Sequence, residues 1–152
     1  MKKNGLNFTR GDLFKSKAQV LVNPVNCVGV MGAGIAKEFK RRFPKMFIAY
    51  KKACDEGKLR PGTLMLWKDQ ESLDRYVLNF PTKDHWRSKS KLVWIEEGMR
   101  FFIENYNNWN IRSIAFPALG CGKGGLEWKD IKPIFEKYLF DLDLKVLVFE
   151  PI

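Results

Sequence analysis

Short apolar runs alternate with amphipathic segments of helical length through most of the chain, and this alternation strongly restricts the possible folds. The runs that predict strands cover residues 6–9, 19–22, 63–67, 75–80, 111–117 and 144–149. A helical pattern begins at Ala33, is interrupted at Pro44 and continues to about Gly57. A second helical pattern spans residues 93–106, and a last one has Pro133 in its first turn. Such an order predicts an α/β fold with helices on both faces of a mainly parallel sheet.

The length of the chain predicts a single domain over residues 1–152. A chain of this size can bury one substantial core, and 45% hydrophobic residues supply it. No segment rich in Pro, Gly or Ser divides the sequence, so we expect no second domain.

The sequence lacks the marks of a membrane protein or a metalloprotein. No window approaches the roughly 18 apolar residues that a membrane span needs, so we expect a cytoplasmic protein without membrane contact. Cys27, Cys54 and Cys121 are odd in number and widely spaced. They predict neither a disulfide framework nor a zinc site, and we expect no metal and no cofactor.

The chain is strongly basic. Its 27 Lys and Arg against 17 Asp and Glu give a net charge of +10, which attracts polyanions. The basic residues cluster between residues 37 and 45 and again between residues 83 and 91. The charge indicates a nucleic acid or a nucleotide-derived ligand, although a basic surface that only aids solubility remains the alternative.

Two glycine-rich stretches, each followed by a predicted helix, are the candidate binding elements. Residues 26–40 read NCVGVMGAGIAKEFK, and residues 116–128 read FPALGCGKGGLEW. Glycine lets the backbone approach a ligand closely, and the free N–H groups at a helix start bind anions such as phosphates. Tight turns and close helix packing would explain each stretch equally well.

Two common phosphate-binding motifs do not fit these stretches. No Gly-Lys-Ser or Gly-Lys-Thr follows either of them, which argues against a nucleotide triphosphate loop. The spacing Gly120-x-Gly122-x-Gly124-Gly125 also differs from the dinucleotide-binding motif in its third glycine. Two loops that bracket one diphosphate from opposite sides fit better.

The motifs resemble those of the macrodomain family, whose members bind ADP-ribose, and the resemblance covers essentially the whole chain. Four motifs carry it in order: Gly11-Asp12-Leu13, Val22-Asn23-Pro24-Val25-Asn26, Gly32-Ala33-Gly34-Ile35-Ala36, and the stretch from Pro117 to Trp128. The resemblance implies a three-layer α/β/α sandwich with a mixed, mainly parallel central sheet.

The resemblance also implies which residues bind ADP-ribose. Asp12, Leu13, Phe149 and Pro151 would hold the adenine end, and Asn26 would contact the distal ribose. The remaining ligand-binding positions would be Asn23, Met31, Gly32, Gly34, Ile35, Ala118, Leu119, Gly120, Cys121, Gly122, Lys123, Gly124 and Gly125.

Lys83 is the candidate catalytic residue, because a related branch of the family has a functional lysine at this Thr82-Lys83 position. Such a lysine would attack or activate the anomeric carbon of the distal ribose. A lysine becomes nucleophilic when burial or nearby cations lower its pKa towards neutrality. His85 and Trp86 follow closely and are candidate contacts to the modified base, although each is equally an ordinary loop residue.

Within the family, the glycine motifs and Phe80-Pro81-Thr82-Lys83 look most like the DarG-type DNA ADP-ribosyl glycohydrolases, antitoxins that remove ADP-ribose from DNA bases. The terminal ADP-ribose protein glycohydrolases are more distant, and they carry an aspartate where this chain has Gly124. We therefore expect ADP-ribose and ADP-ribosylated single-stranded DNA as ligands, with a cognate ADP-ribosyltransferase toxin as a partner. Release of ADP-ribose from acidic residues of proteins, and ADP-ribose binding without catalysis, are the alternatives. A general nucleic-acid module would leave the two loops without a role.

Overall fold

The computed structural model describes residues 5–72 and 74–151, which form one six-stranded sheet between helices. The strands are β1 (Gly5–Thr9), β2 (Val20–Val25), β3 (Met65–Lys68), β4 (Tyr76–Pro81), β5 (Ser113–Phe116) and β6 (Lys145–Phe149). Their order across the sheet is β1-β6-β5-β2-β4-β3. All neighbours pair in parallel except β3 and β4, which are antiparallel. The predicted mixed, mainly parallel sheet is confirmed.

The four helices follow the predicted patterns closely. They are α1 (Gly34–Arg42), α2 (Pro44–Asp55), α3 (Leu92–Asn105) and α4 (Trp128–Leu139). Pro44 separates α1 from α2 because a proline disfavours helical backbone in the residue before it, and Pro44 then occupies the first position of α2. Short 3-10 helices at Leu13–Lys15, Tyr106–Trp109 and Gly122–Gly124 were not predicted.

The side chains of the central strands alternate between two cores, as successive residues of a strand must. On β2, Val20 and Val22 belong to one core, whereas Leu21 and Val25 belong to the other. The first core also contains buried residues of α3 and α4, and the second contains Phe39 of α1 and Tyr50 of α2. Helices therefore cover both faces of the sheet, which confirms the three-layer sandwich.

The predicted position of Pro133 was wrong. Helix α4 begins at Trp128, directly after the second glycine stretch, so Pro133 lies inside the helix rather than in its first turn. Proline has no N–H group, so the carbonyl of Lys129 lacks its helical donor. Pro133 and Lys129 are both exposed, and water can satisfy this carbonyl.

The parallel arrangement brings the loops after β1, β2, β4, β5 and β6 to one edge of the sheet. No helix among residues 5–72 and 74–151 has the length and apolar character needed to cross a membrane. The predicted single domain over 1–152 includes residues 1–4, 73 and 152, which lie outside the described residues.

Candidate functional site

A cleft of about 800 Å³ lies at the carboxyl edge of the sheet, between the loops that follow β2, β4 and β5. The two glycine stretches form opposite walls. Its lining includes these predicted site residues: Asn26, Met31, Gly32, Gly34, Ile35, Lys83, Trp86, Ala118, Gly120, Cys121, Gly122, Lys123 and Gly124. The structure thus brings together residues that are up to about a hundred positions apart in the sequence.

Asn26 holds the first glycine loop in shape. Its side-chain Oδ1 accepts hydrogen bonds from the N–H groups of Val28 at 3.1 Å and Val30 at 3.4 Å, and its Nδ2 donates to the Val30 carbonyl at 2.8 Å. The buried Tyr50 hydroxyl lies 2.8 Å from both the Oδ1 and the carbonyl oxygen of Asn26. Asn26 therefore lines the cleft and also fixes the loop that encloses it.

The main chain of Lys83 is anchored to the end of β2. Its N–H donates to the Val25 carbonyl at 3.4 Å, and its carbonyl accepts from the Cys27 thiol at 3.5 Å. The Cys27 N–H donates to the carbonyl of Asp84 at 3.1 Å, which extends the pairing of β2 and β4 past the strand ends. This pairing holds Lys83 at the edge of the cleft, where the residue is part of the lining.

The second glycine loop packs against the segment that carries Lys83. The Ser90 N–H donates to the carbonyl of Gly124 at 2.9 Å. A Cβ atom at Gly124 would lie 2.6 Å from the buried Oγ of Ser90, so a side chain has no room there. A Cβ at Gly122 would meet no atom within 4 Å. Gly124 therefore serves close packing, whereas Gly122 opens towards the cleft.

The charge of the cleft is positive. Among the described lining residues, Lys83 and Lys123 are the charged side chains, and no Asp, Glu or His contributes.

Burial raises the pKa of the Cys121 thiol, which keeps it protonated near neutral pH. Helix α1 begins at Gly34 without a side-chain cap or an acidic residue in its first turn, so its first N–H groups remain available to an anion. In the described ranges, no group of His, Cys, Asp and Glu is arranged to hold a metal ion.

The predicted adenine-binding residues Asp12, Phe149 and Pro151 lie beside the cleft, after β1 and at the end of β6, whereas the Leu13 side chain is buried in the second core. Thr9 and Phe149 are register partners on these strands, and a Cβ at Gly11 would lie 3.9 Å from the Phe149 ring. Asp12 is exposed and caps the first 3-10 helix, because its Oδ1 accepts from the Phe14 N–H at 2.9 Å. Strand β6 neighbours β5, so this pair is one strand away from the second glycine loop.

Several predicted residues do not reach the surface of the cleft. Asn23 is fully buried under Met31, and its Nδ2 donates to Oδ1 of Asn79 at 3.1 Å. Leu119 lies in the core, and Gly125 turns away beside Lys89. His85 accepts a hydrogen bond from the Arg87 N–H at 3.1 Å and packs beside Trp86. Asn23 and Leu119 are therefore buried residues that support the cleft without lining it.

Some residues of the site were missed by sequence reasoning. Val30, Ala33 and Thr82 line the cleft, and each lies inside a motif that the sequence had already marked. Tyr50 and Ser90 lie outside every glycine stretch, and no local pattern signals their contacts with Asn26 and Gly124. Only the tertiary structure brings these pairs together.

Comparison with known proteins gives a family for this site. The family model described as "Macro domain" matches residues 22–135, which include the first glycine stretch, Lys83 and the second glycine stretch.

Similar proteins include a DNA ADP-ribosyl glycohydrolase of Mycobacterium tuberculosis, which is 47% identical over 129 residues. The match covers 84% of this chain and 36% of that protein. A DNA ADP-ribosyl transferase and DNA ADP-ribosyl glycohydrolase fusion protein of Thermosipho africanus is 39% identical over 163 residues, covering 97% of this chain and 42% of that protein. The chain thus spans about two fifths of the length of the relatives named as DNA ADP-ribosyl glycohydrolases.

Solved structures agree in fold. The macrodomain of Mycobacterium tuberculosis DarG matches with a TM-score of 0.88 and 42% identity, covering 98% of this chain and 99% of that one. Thermosipho africanus DarTG in complex with ADP-ribose matches with a TM-score of 0.93 and 38% identity, covering 100% of this chain and 44% of that one. With the family match and the paired glycine loops, these similarities confirm the predicted resemblance, and this chain belongs to the macrodomain family.

Proposed function

We propose that this chain binds ADP-ribose in the cleft and removes it from ADP-ribosylated DNA bases. One observation carries the proposal: two glycine loops and the start of α1 enclose a cleft whose charged lining residues, Lys83 and Lys123, are both positive. A diphosphate is a strong acceptor for backbone N–H groups and lysines. The relatives named as DNA ADP-ribosyl glycohydrolases support the choice of reaction.

In this proposal the adenine lies at Asp12, Leu13, Phe149 and Pro151, and the diphosphate lies between the glycine loops. The proposed ligand contacts of the two loops are Met31, Gly32, Gly34, Ile35, Ala118, Gly120, Cys121, Gly122, Lys123 and Gly124, which line the cleft. Asn26 and Lys83 then flank the distal ribose. Trp86, which is 46% exposed and lines the cleft, would contact the base that carries the modification.

Lys83 acts on the anomeric carbon of the distal ribose. Cleavage breaks the bond between this carbon and the nitrogen of the base, and the bonding electrons leave with the base. Positive charge develops on the ribose ring, and the oxygen of a water molecule bonds to the anomeric carbon. The proton that this water loses ends on the nitrogen of the departing base, and free ADP-ribose is released. The described lining residues include no Asp, Glu or His, and of the two lysines Lys83 is the one at the Thr-Lys position where the related branch has its functional lysine.

Gly124 favours a DNA substrate over an acidic residue of a protein. The branch that cleaves esters carries an aspartate at this position, and here the packing of Ser90 leaves no space for a side chain. A cytoplasmic location and an ADP-ribosyltransferase toxin as partner follow from the same proposal. The Thermosipho africanus relative, which joins a transferase to a glycohydrolase, supports such a pairing. A single macrodomain over residues 1–152 stays a prediction.

The test is incubation of the protein with single-stranded DNA that carries ADP-ribose on a base. Wild-type protein should remove the ADP-ribose mass from the DNA, and Lys83→Ala should abolish this loss while still binding free ADP-ribose. Lys17→Ala, at the opposite edge of the sheet, is the matched control and should behave like wild type.

Three results would contradict parts of the proposal. Turnover by Lys83→Ala would remove Lys83 from the reaction. Release of ADP-ribose from an ester-linked protein but not from DNA would show that the substrate is an ADP-ribosylated acidic residue of a protein. Tight binding of ADP-ribose without turnover of either substrate would make the chain a reader rather than an enzyme.

A further inference from the structure

Next to the cleft, helices α1 and α2 form an open groove of about 700 Å³ that the proposed reaction does not use. Its walls follow helical spacing: Lys37, Lys40 and Arg41 come from α1, and Pro44, Phe47 and Ile48 come from α2. Each set presents one face of its helix, so the groove has a basic side and an apolar side.

The groove and the cleft are continuous. Met31, Gly32 and Gly34 line both, so the first glycine loop is the shared wall. The four residues proposed to hold the adenine do not line the groove. On α1, Phe39 and Arg42 contact Phe14, which follows Asp12 and Leu13. Lys37, Lys40 and Arg41 lie on the opposite face of this helix, so the groove leaves the cleft on the side away from the proposed adenine site.

The basic side of the groove can bind an anion. Lys37 and Lys40 pair with no carboxylate among the residues that the structure describes. Glu38 is the acidic residue of the lining, and Arg41 and Arg42 both pair with it. These pairs lower the pKa of the Glu38 carboxyl to about 2 and occupy its carboxylate. Glu38 therefore does not hold Lys37 or Lys40, and both amines can bind phosphates.

The apolar side offers surface to bases. Ile48 is 67% exposed, and Phe47 is half-buried with the Lys40 amine 4.3 Å from its ring centre. Val30, at the rim of the cleft, is 40% exposed. Grooves that bind single-stranded nucleic acid combine lysines for the backbone with aromatic and apolar side chains for the bases.

We propose that this groove holds the single-stranded DNA that adjoins the modified nucleotide, with phosphates on Lys37 and Lys40 and bases against Phe47 and Ile48. The inference rests on the proposed function, because it assigns a path to the DNA part of that substrate. It makes the groove a determinant of substrate choice: DNA strands would be preferred over isolated ADP-ribosylated nucleotides.

The test compares three ligands: free ADP-ribose, an ADP-ribosylated mononucleotide, and an ADP-ribosylated single strand of about ten nucleotides. The groove variants are the double variant Lys37→Glu/Lys40→Glu and the single variant Ile48→Glu, all at exposed positions. Lys17→Glu/Lys145→Glu makes the same charge change at the amino ends of β2 and β6, on the far edge of the sheet.

The groove variants should lower kcat/KM for the strand by about tenfold or more, which is the effect of losing one or two base or phosphate contacts. Affinity for ADP-ribose and kcat/KM for the mononucleotide should not change. For the double lysine variant, the slope of log kcat/KM against log salt concentration should become shallower by about 1.4, since each single-strand phosphate contact contributes about 0.7. The control should change far less.

Several outcomes would contradict the proposal that the groove binds single-stranded DNA. Unchanged strand kinetics in the variants would do so, and so would an equal loss on strand and mononucleotide, because the variants would then disturb the cleft. Loss of binding to the transferase with normal strand kinetics would make the groove a protein interface instead.

If wild-type protein cleaves no DNA at all, the proposed function fails but the groove is still tested. The measurement is then equilibrium binding of the modified strand in the Lys83→Ala background. Affinity that exceeds that of free ADP-ribose and disappears with the groove variants supports the groove, and equal affinities overturn it.

Discussion

At the scale of the residue, Asp12 combines a structural and a proposed binding role. Its Oδ1 caps the 3-10 helix at the Phe14 N–H, and the carboxylate is exposed beside the Phe149 end of β6. Asp12→Ala should weaken binding of ADP-ribose by about 1–3 kcal/mol, since it removes a charge-assisted hydrogen bond to the adenine. Isothermal calorimetry measures this loss directly.

Asp12→Asn is the matched control for the cap. Asparagine caps helices about as well as aspartate, so the asparagine variant keeps the local structure but loses the negative charge. We expect it to bind ADP-ribose more weakly than wild type while unfolding at the same temperature. Equal affinities in all three proteins would exclude Asp12 from the binding site.

Gly122 is the residue at which a side chain should block the ligand directly. Its φ of +68° suits glycine, and a Cβ there would point into free space at the cleft. Gly122→Val should abolish ADP-ribose binding through the bulk of valine and through its poor fit to this backbone conformation. Circular dichroism should show an unchanged helix content; normal binding would contradict the proposed diphosphate position.

At the scale of the element, α3 packs on β4 through Gly98. A Cβ at Gly98 would lie 2.3 Å from Cζ of Phe80. Alanine usually stabilises a helix relative to glycine by about 1 kcal/mol. Here we expect Gly98→Ala to destabilise the protein by about 1–3 kcal/mol, because the Phe80 ring must move in a close-packed core. Urea unfolding gives the difference.

The companion variant for Gly98 is Gly98→Ala/Phe80→Leu. Leucine removes the ring atoms that the new methyl group would meet, so the alanine should cost much less in that background. Additive losses from the two substitutions would show that the Phe80 contact does not limit the packing of α3.

The contact between the Lys83 segment and the second glycine loop is also a property of elements. Gly124→Asp should lower stability by about 1–3 kcal/mol, because Ser90 occupies the position of the new Cβ. Ser90→Gly should relieve part of this cost. If Gly124 is a determinant of substrate choice, the double variant Gly124→Asp/Ser90→Gly should release more ADP-ribose from ester-linked protein than wild type does. A folded double variant without such release, measured by mass spectrometry, would contradict this role of Gly124.

At the scale of the whole molecule, the half-buried Cys27 thiol links stability to pH. Burial, with Cys54 and Asp84 nearby, raises the pKa of the Cys27 thiol from 9.0 to about 12. Between these values the unfolded chain has lost the proton that the folded protein retains. The unfolded state then binds fewer protons, so the free energy of unfolding falls as pH rises from 9 to 12.

Cys27→Ser tests this linkage, because serine does not titrate in this range. The free energy of unfolding of the variant should fall less steeply above pH 9 than that of wild type, while the two proteins keep a constant difference between pH 6 and 8. Denaturant unfolding at a series of pH values measures both slopes. If the free energies of unfolding of the two proteins changed in parallel over the whole pH range, Cys27 would not be the source of the pH dependence.

Local sequence patterns were enough to predict the elements of this fold and the loops of its site. The period of apolar residues predicted every strand of the sheet and all four helices, because these patterns are local consequences of a 2-residue or 3.6-residue repeat. Glycines after predicted strands marked both walls of the cleft, since in a parallel sheet such loops share one edge. Pro133 was misplaced because the helix start depends on how the glycine loop ends.

The tertiary structure alone decided which of these residues face the cleft. Asn23 and Asn26 lie in one motif, yet Asn23 is buried against Asn79 while Asn26 lines the cleft with support from Tyr50. The fit of Ser90 to Gly124 and the groove between α1 and α2 likewise depend on packing between distant segments. Sequence periodicity specifies which face of an element is buried. These contacts depend instead on the spatial order of the strands in the sheet, which decides which distant segments become neighbours.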